Sequence, residues 1–234
     1  IEDICIITSR GKGIMEDHFD RAPELEERLL AAGKQAMYDE VVSIASLANI
    51  TFIRQKETKG LGHAVYCARS FVGDEPFAVL YGDDVIIGED PVCGQLIRAY
   101  EEYGLGCVGI KEVAMQDIFK YSSMKTEALH DNLYRVTDMI EKPKKESEVF
   151  SLFSILGRCV LPSKIFDILE TLPKGAGGEY QLTDAMKILA REEGMIGDMG
   201  NKLGVLKAIV EVGLKHPEVG ESFQAYLSEI AKTL

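Results

Sequence analysis

The chain has 234 residues, 46% of them hydrophobic and 27% charged, with a net charge of −12 at pH 7. That length and balance suit one soluble α/β domain. The acidity argues against nonspecific binding to nucleic acid or to a membrane surface, while leaving open an anionic small substrate held by a metal and a few local bases.

In chain order, residues 4–8 are a β-rich apolar run, read as a buried strand. Ser9-Arg10-Gly11-Lys12-Gly13 follow as a basic loop. It could cradle phosphate, but it lacks both GxGxxG and GxxxxGK[ST], so it reads first as an ordinary connection. Residues 23–47 show helical periodicity broken near Ala32-Gly33. Leu25, Leu29 and Leu30 mark one apolar face, and Met37, Val41, Val42, Ile44 and Ala45 mark the next. Residues 50–53 form a second strand that ends at Arg54-Gln55. Gly60 and Gly62 then precede a helical segment over 64–69. Amides at such a helix start face an anion or a nucleobase, or the glycines simply permit a tight turn, and spacing does not separate the two.

Residues 76–81 are an apolar run, read as a central strand buried on both faces. The run stops at Gly82-Asp83-Asp84. Ligands in open α/β sheets bind at the carboxyl ends of strands. Carboxylates there suit a hard cation such as Mg²⁺, although the same residues also make an ordinary surface turn. A helix over 91–103 and a strand over 106–110 follow. The alternation predicts a layered α/β fold with a largely parallel sheet.

Residues 121–127 and 133–140 read as paired strands around Asp131-Asn132. They lead to Glu141-Lys142-Pro143-Lys144-Lys145. These are solvated charges closing a strand, or Glu141 accepts sugar hydroxyls while Lys142 meets a phosphate. Residues 153–161 form a strand, Ser163 is expected to cap a helix running to 171, and 175–178 form a flexible loop. Further helices are expected over 183–191, 203–214 and 223–230. No repeat or long linker interrupts the chain, which reads as one domain over 1–234 with a helical C-terminal portion. Cysteines and histidines are scattered with no CxxC, HxxxH or HExxH pattern. The thiols are therefore read as reduced in a cytoplasmic protein, and no zinc site is expected. No apolar run approaches membrane-spanning length.

Six stretches together resemble the bacterial UTP–glucose-1-phosphate uridylyltransferases. They are Arg54-Gln55 with Lys59-Gly60-Leu61-Gly62-His63-Ala64; Val79-Leu80-Tyr81-Gly82-Asp83-Asp84; Glu141-Lys142-Pro143; Ile155-Leu156-Gly157-Arg158; Gly178-Glu179-Tyr180-Gln181-Leu182-Thr183-Asp184; and Asp198-Met199-Gly200-Asn201-Lys202-Leu203-Gly204. They fall in family order and cover nearly the whole chain. The resemblance implies a Rossmann-like nucleotidyltransferase fold, with a mixed, mostly parallel sheet flanked by helices. It also implies a Mg²⁺-dependent reaction of UTP with glucose 1-phosphate to give UDP-glucose and pyrophosphate in a homodimer or homotetramer. By the same resemblance, Gln55 and the backbone at Gly60 recognise uracil, and Asp83 holds Mg²⁺ with Asp198 as a secondary candidate. Glu141 binds glucose hydroxyls and Lys142 the sugar phosphate, while Asp84 and His63 shape their loops. Such a transfer needs two anions brought in line and their charge neutralised, with no nucleophilic side chain.

Three departures stand beside the resemblance. The family's glycine-rich triphosphate loop and first strand have no counterpart here, so the chain without them is expected to be inactive. A short segment is missing before Asp198. Tyr121-Ser122-Ser123 lacks the glycine many relatives place after the tyrosine. The competing readings are a transferase using dTTP or GTP, a non-catalytic UDP-sugar-binding protein, and a structural scaffold.

Overall fold

The computed structural model describes residues 1–86, 90–200, 210 and 212–232. Asn201, Lys202, Leu203 and Gly204, and most of the helix expected over 203–214, lie outside the described residues. In chain order the first elements are β1 (Asp3–Thr8), α1 (Gly13–Phe19), α2 (Pro23–Ala31), α3 (Gln35–Ile44), β2 (Asn49–Arg54), α4 (Leu61–Tyr66) and α5 (Arg69–Val72). Then come β3 (Phe77–Leu80), α6 (Val92–Tyr103), β4 (Gly106–Glu112), β5 (Ser122–Ala128), β6 (Leu133–Glu141) and β7 (Phe153–Leu161). The last are α7 (Ile165–Thr171), α8 (Leu182–Glu192), β8 (Met195–Asp198) and α9 (Gly220–Ile230). They form two compact units: Ile1–Glu75 with Ser163–Ala185, and Pro76–Pro162 with Met186–Leu234.

In the first unit β1 and β2 pair in parallel, from Asp3 opposite Asn49 to Thr8 opposite Arg54. The helical stretch between them breaks where expected, at Gly33, whose φ of +68° suits a residue without a Cβ. The helix expected over 64–69 begins earlier, at Leu61, and a separate turn of helix follows at Arg69. Ser163 does not cap α7; its hydroxyl donates instead to the Asp74 carbonyl at 3.1 Å. The loop expected to be flexible over 175–178 is closed by hydrogen bonds from Gly175 N to Glu179 O (2.8 Å) and from Gln181 Nε2 to Ala176 O (2.9 Å).

The second unit is built on a six-stranded mixed sheet in the order β3-β7-β4-β8-β6-β5. Four strands, β3, β4, β8 and β5, run one way, while β7 and β6 run the other. Strand direction is therefore mostly parallel as expected, but the ladders are corrected: only β4–β8 is parallel, because the reversed strands sit between the others. β1 and β2 form a sheet of their own. β3 is also corrected, from a central strand to one end of the order among the described residues, and Leu80 at its last position is 52% exposed. β8 was not read from the sequence. The amphipathic helix α6 lays Leu96 and Ala99 onto Cys107, Val160 and Ile196 of β4, β7 and β8. Each large side chain buried this way contributes about 2 kcal/mol. Burial pushes the Cys107 and Cys159 thiols up to about 12, so they serve as packing groups. All five cysteines are free thiols.

Candidate active site

Each unit carries its own group of the residues singled out above. In the first, Gln55 follows β2 and its amide N–H donates to the Thr8 carbonyl at 2.8 Å, which fixes the strand's end. Its side-chain Nε2 donates to Gly60 O at 3.2 Å and to His63 Nδ1 at 2.9 Å. Gly60 sits at the start of α4 with φ +104°. A Cβ there would meet Glu179 Cβ at 2.7 Å and Tyr180 O at 2.8 Å, and one on Gly62 would meet Tyr180 O at 2.7 Å. Gly62 N donates to Tyr180 O and Tyr180 N to Lys59 O, both at 2.8 Å. Both glycines are thus needed for close backbone approach. Among the described residues, the Gly60 N–H and the Gln55 side-chain oxygen make no hydrogen bond.

In the second unit the chain leaves β3 through Tyr81 and turns at Gly82-Asp83. Burial pushes the Tyr81 phenol well above its ordinary value, and the charges of Glu141, Asp84 and Asp83 add to the effect of Cys159. The same tyrosine therefore senses the charge of all three carboxylates. Asp83 is exposed, and its side chain makes no hydrogen bond or ion pair among the described residues. Asp84 packs inward, with Oδ2 2.1 Å from where a Cβ on Gly157 would stand. Arg158, read from sequence only as part of the 155–158 stretch, brackets the turn. Its guanidinium donates to Tyr81 O (3.0 Å), to Gly157 O (2.8 Å) and to Asp84 O. An arginine inside a strand directly after a glycine was the available signal.

Glu141 ends β6 opposite Ser122. Lys142 follows with φ +47°, left-handed for a lysine and doubly unusual before a proline. Its amide donates to Tyr121 O at 2.9 Å, and its exposed side chain makes no ion pair among the described residues. Strain of this kind persists where the surroundings over-determine it, often at functional sites. Ser122 and Ser123 are buried. Ser122 Oγ accepts from Ile155 N at 3.1 Å and Ser123 Oγ from Phe150 N at 2.9 Å, tying β5 to the entry of β7.

Asp198 lies elsewhere on the sheet. Val79, Cys159, Val108 and Gly197 stand in one register row, which puts the neighbourhood of Asp198 three strand spacings, about 14 Å, from β3. Its Oδ1 accepts from Gly200 N at 2.7 Å. Burial raises its pKa, aided by Asp90 and opposed by the Gly200 amide and Arg98. No three His, Cys, Asp or Glu side chains gather into a metal cage among the described residues. An ion such as Mg²⁺, bound mostly through substrate phosphates and water, needs few protein carboxylates. Asp83, exposed and without a side-chain partner among the described residues, suits such a role better than Asp198.

The profile of the nucleotidyl transferase family matches residues 1–215, and the chain belongs to that family. Within it, the chain is 47% identical to the UTP–glucose-1-phosphate uridylyltransferase YngB of Bacillus subtilis, covering 99% of this chain and 80% of that protein. It is 42% identical to the enzyme of the same name from Staphylococcus epidermidis, covering 98% and 82%. Among solved structures it is similar to UTP-bound UGPase from Acinetobacter baumannii (TM-score 0.78, 31% identity, 98% and 83% covered). A second similar structure is a UDP-glucose pyrophosphorylase complexed with UDP-glucose (TM-score 0.75, 30% identity, 97% and 81% covered).

Proposed function

We propose that the protein is a UTP–glucose-1-phosphate uridylyltransferase. A phosphate oxygen of glucose 1-phosphate attacks the α-phosphorus of UTP, the bond from that phosphorus to the β-phosphate bridging oxygen breaks, and pyrophosphate leaves as UDP-glucose forms. The relatives of that name support the chemistry. The observation that carries it is the exposed Asp83 carboxylate just past the end of β3, which makes no hydrogen bond or ion pair among the described residues.

In this reading Gln55 Oε1 accepts the N3–H of uracil and the Gly60 N–H donates to a uracil carbonyl. Two complementary contacts of that kind reject a base with the opposite pattern. Glu141 accepts sugar hydroxyls, and the Lys142 ammonium holds the attacking phosphate and offsets its charge. Asp83 would hold Mg²⁺, which would screen the triphosphate, and Asp198, three strand spacings from β3, is the weaker, alternative candidate rather than a second ligand of the same ion. The reading treats 1–234 as a single catalytic domain, in line with a family match running through both units. It further takes the enzyme as cytoplasmic and as a homodimer or homotetramer, with the exposed Tyr226 of α9 as a contact candidate. Among the described residues, no helix is long and apolar enough to cross a membrane.

The test is pyrophosphate release by the full-length protein from glucose 1-phosphate and Mg²⁺ with UTP, dTTP or GTP. Release with UTP and little with the others supports the proposal. Preference for dTTP or GTP overturns the choice of nucleotide. Binding of UDP-glucose with no release overturns the enzyme in favour of a sugar-nucleotide-binding protein.

A further inference from the structure

Among the described residues the Asp83 side chain makes no hydrogen bond or ion pair, so within them its carboxylate is placed by the backbone on either side. That backbone is a short turn with little internal support: Asp84 N reaches Tyr81 O at 3.3 Å, and Gly82 has no atom within 4 Å of its Cβ position. The restraint comes from β7. Tyr81 N donates to Gly157 O at 2.9 Å. Arg158 then takes the carbonyls of Tyr81 and Asp84, the two residues that bracket Gly82-Asp83, in one guanidinium fork while also bonding Gly157 O. Gly157, with φ +81°, leaves a notch that the Asp84 carboxylate fills. Both ends of the turn are pinned and only the tip is left open. A guanidinium can do this because it is planar and carries five donors in fixed directions; an ammonium cannot span the same carbonyls.

We propose that Arg158, assisted by the notch at Gly157, is a positioning residue for the Asp83 carboxylate. It sets the metal-binding geometry through the Tyr81–Asp84 backbone without touching substrate. The inference rests on the reading of Asp83 as a metal ligand, and the test separates the two. The full-length protein is saturated with UDP-glucose and titrated with Mn²⁺, with free ion followed by its electron paramagnetic resonance signal. Wild type is compared with Asp83→Asn, Arg158→Lys and Arg158→Met, alongside UDP-glucose binding without metal and melting temperature. Arg158→Lys retains the charge and loses the fork, so both Arg158 variants are expected to weaken Mn²⁺ binding about tenfold. Metal-free UDP-glucose binding should change less than about twofold, because the fork holds backbone and not sugar. Wild-type Mn²⁺ affinity in Arg158→Lys overturns the inference, as does equal loss of metal and metal-free sugar-nucleotide binding. Wild-type affinity in Asp83→Asn overturns the underlying reading instead. Should Arg158→Met fail to fold, Arg158→Lys decides.

Discussion

The side-chain nitrogen of Gln55 lies 2.9 Å from Nδ1 of His63. An amide nitrogen only donates, so His63 accepts at Nδ1 and carries its proton on Nε2. That bond, with the one to Gly60 O, fixes which way the Gln55 amide faces and frees its oxygen. Replacing Gln55 with Ala should raise KM for UTP about tenfold, and replacing His63 with Ala about threefold, with KM for glucose 1-phosphate unchanged in both. Steady-state kinetics with each substrate varied in turn checks this. A rise in the sugar-phosphate KM alone would contradict the assignment.

The glycines of the two candidate groups differ in what they tolerate. Gly60→Ala forces a Cβ to 2.7 Å from Glu179 Cβ at φ +104°, and Gly62→Ala forces one to 2.7 Å from Tyr180 O. Each should destabilise the protein by about 2 kcal/mol. Gly82→Ala meets open space and should change stability by less than about 0.5 kcal/mol. Urea unfolding of the three variants compares them directly.

Lys142 separates stability from activity. A non-glycine residue held left-handed costs about 1 kcal/mol. Lys142→Gly should therefore stabilise the fold by up to about 1 kcal/mol while lowering turnover about a hundredfold through loss of the ammonium. Lys142→Ala should lose the same activity without the gain. A Lys142→Gly protein that is both active and more stable would remove Lys142 from the chemistry.

Asp138 gives a pH signature. Burial raises its pKa, but the hydrogen bond from Arg191, the Met139 amide and the charge of Lys187 outweigh that and hold it below the ordinary carboxyl value. A carboxylate with a depressed folded pKa stabilises above its unfolded value, about 3.9. The contribution disappears as pH falls through the folded value. With Arg191 half-exposed and Asp138 18% exposed, Asp138→Asn should cost about 1 kcal/mol at neutral pH. The difference from wild type should shrink as pH falls below the unfolded value and through the depressed folded one, as urea unfolding at neutral and at acid pH would reveal.

Local pattern carried much of this structure, and long-range pairing did not. The strand over 153–161 and the hairpin around Asp131 were readable because alternation and turn chemistry lie within a dozen residues. β8 was not, because four residues including Gly197 have no period, and their place between β4 and β6 is set by partners far away in sequence. The end position of β3 was missed for the same reason: an apolar run states that a strand is buried, not how many neighbours it has. At the site, Asp83, Glu141 and Lys142 were identifiable as charges at strand ends. Arg158 was hidden because its role lies in three backbone carbonyls, which no side-chain pattern records.

The bonds between Lys59 and Tyr180 and between Gly62 and Tyr180 have a bearing on how this protein can be re-engineered. The stretches 59–62 and 175–181 are far apart in sequence, yet Tyr180 bonds the backbone of the second to both ends of the first. They form one heritable module written in two places. A chimera that imports a relative's loop at 59–62 and retains the native 175–181 inherits half of a matched pair, and if that loop reads the base as proposed, transplanted nucleotide specificity should follow only when both are exchanged.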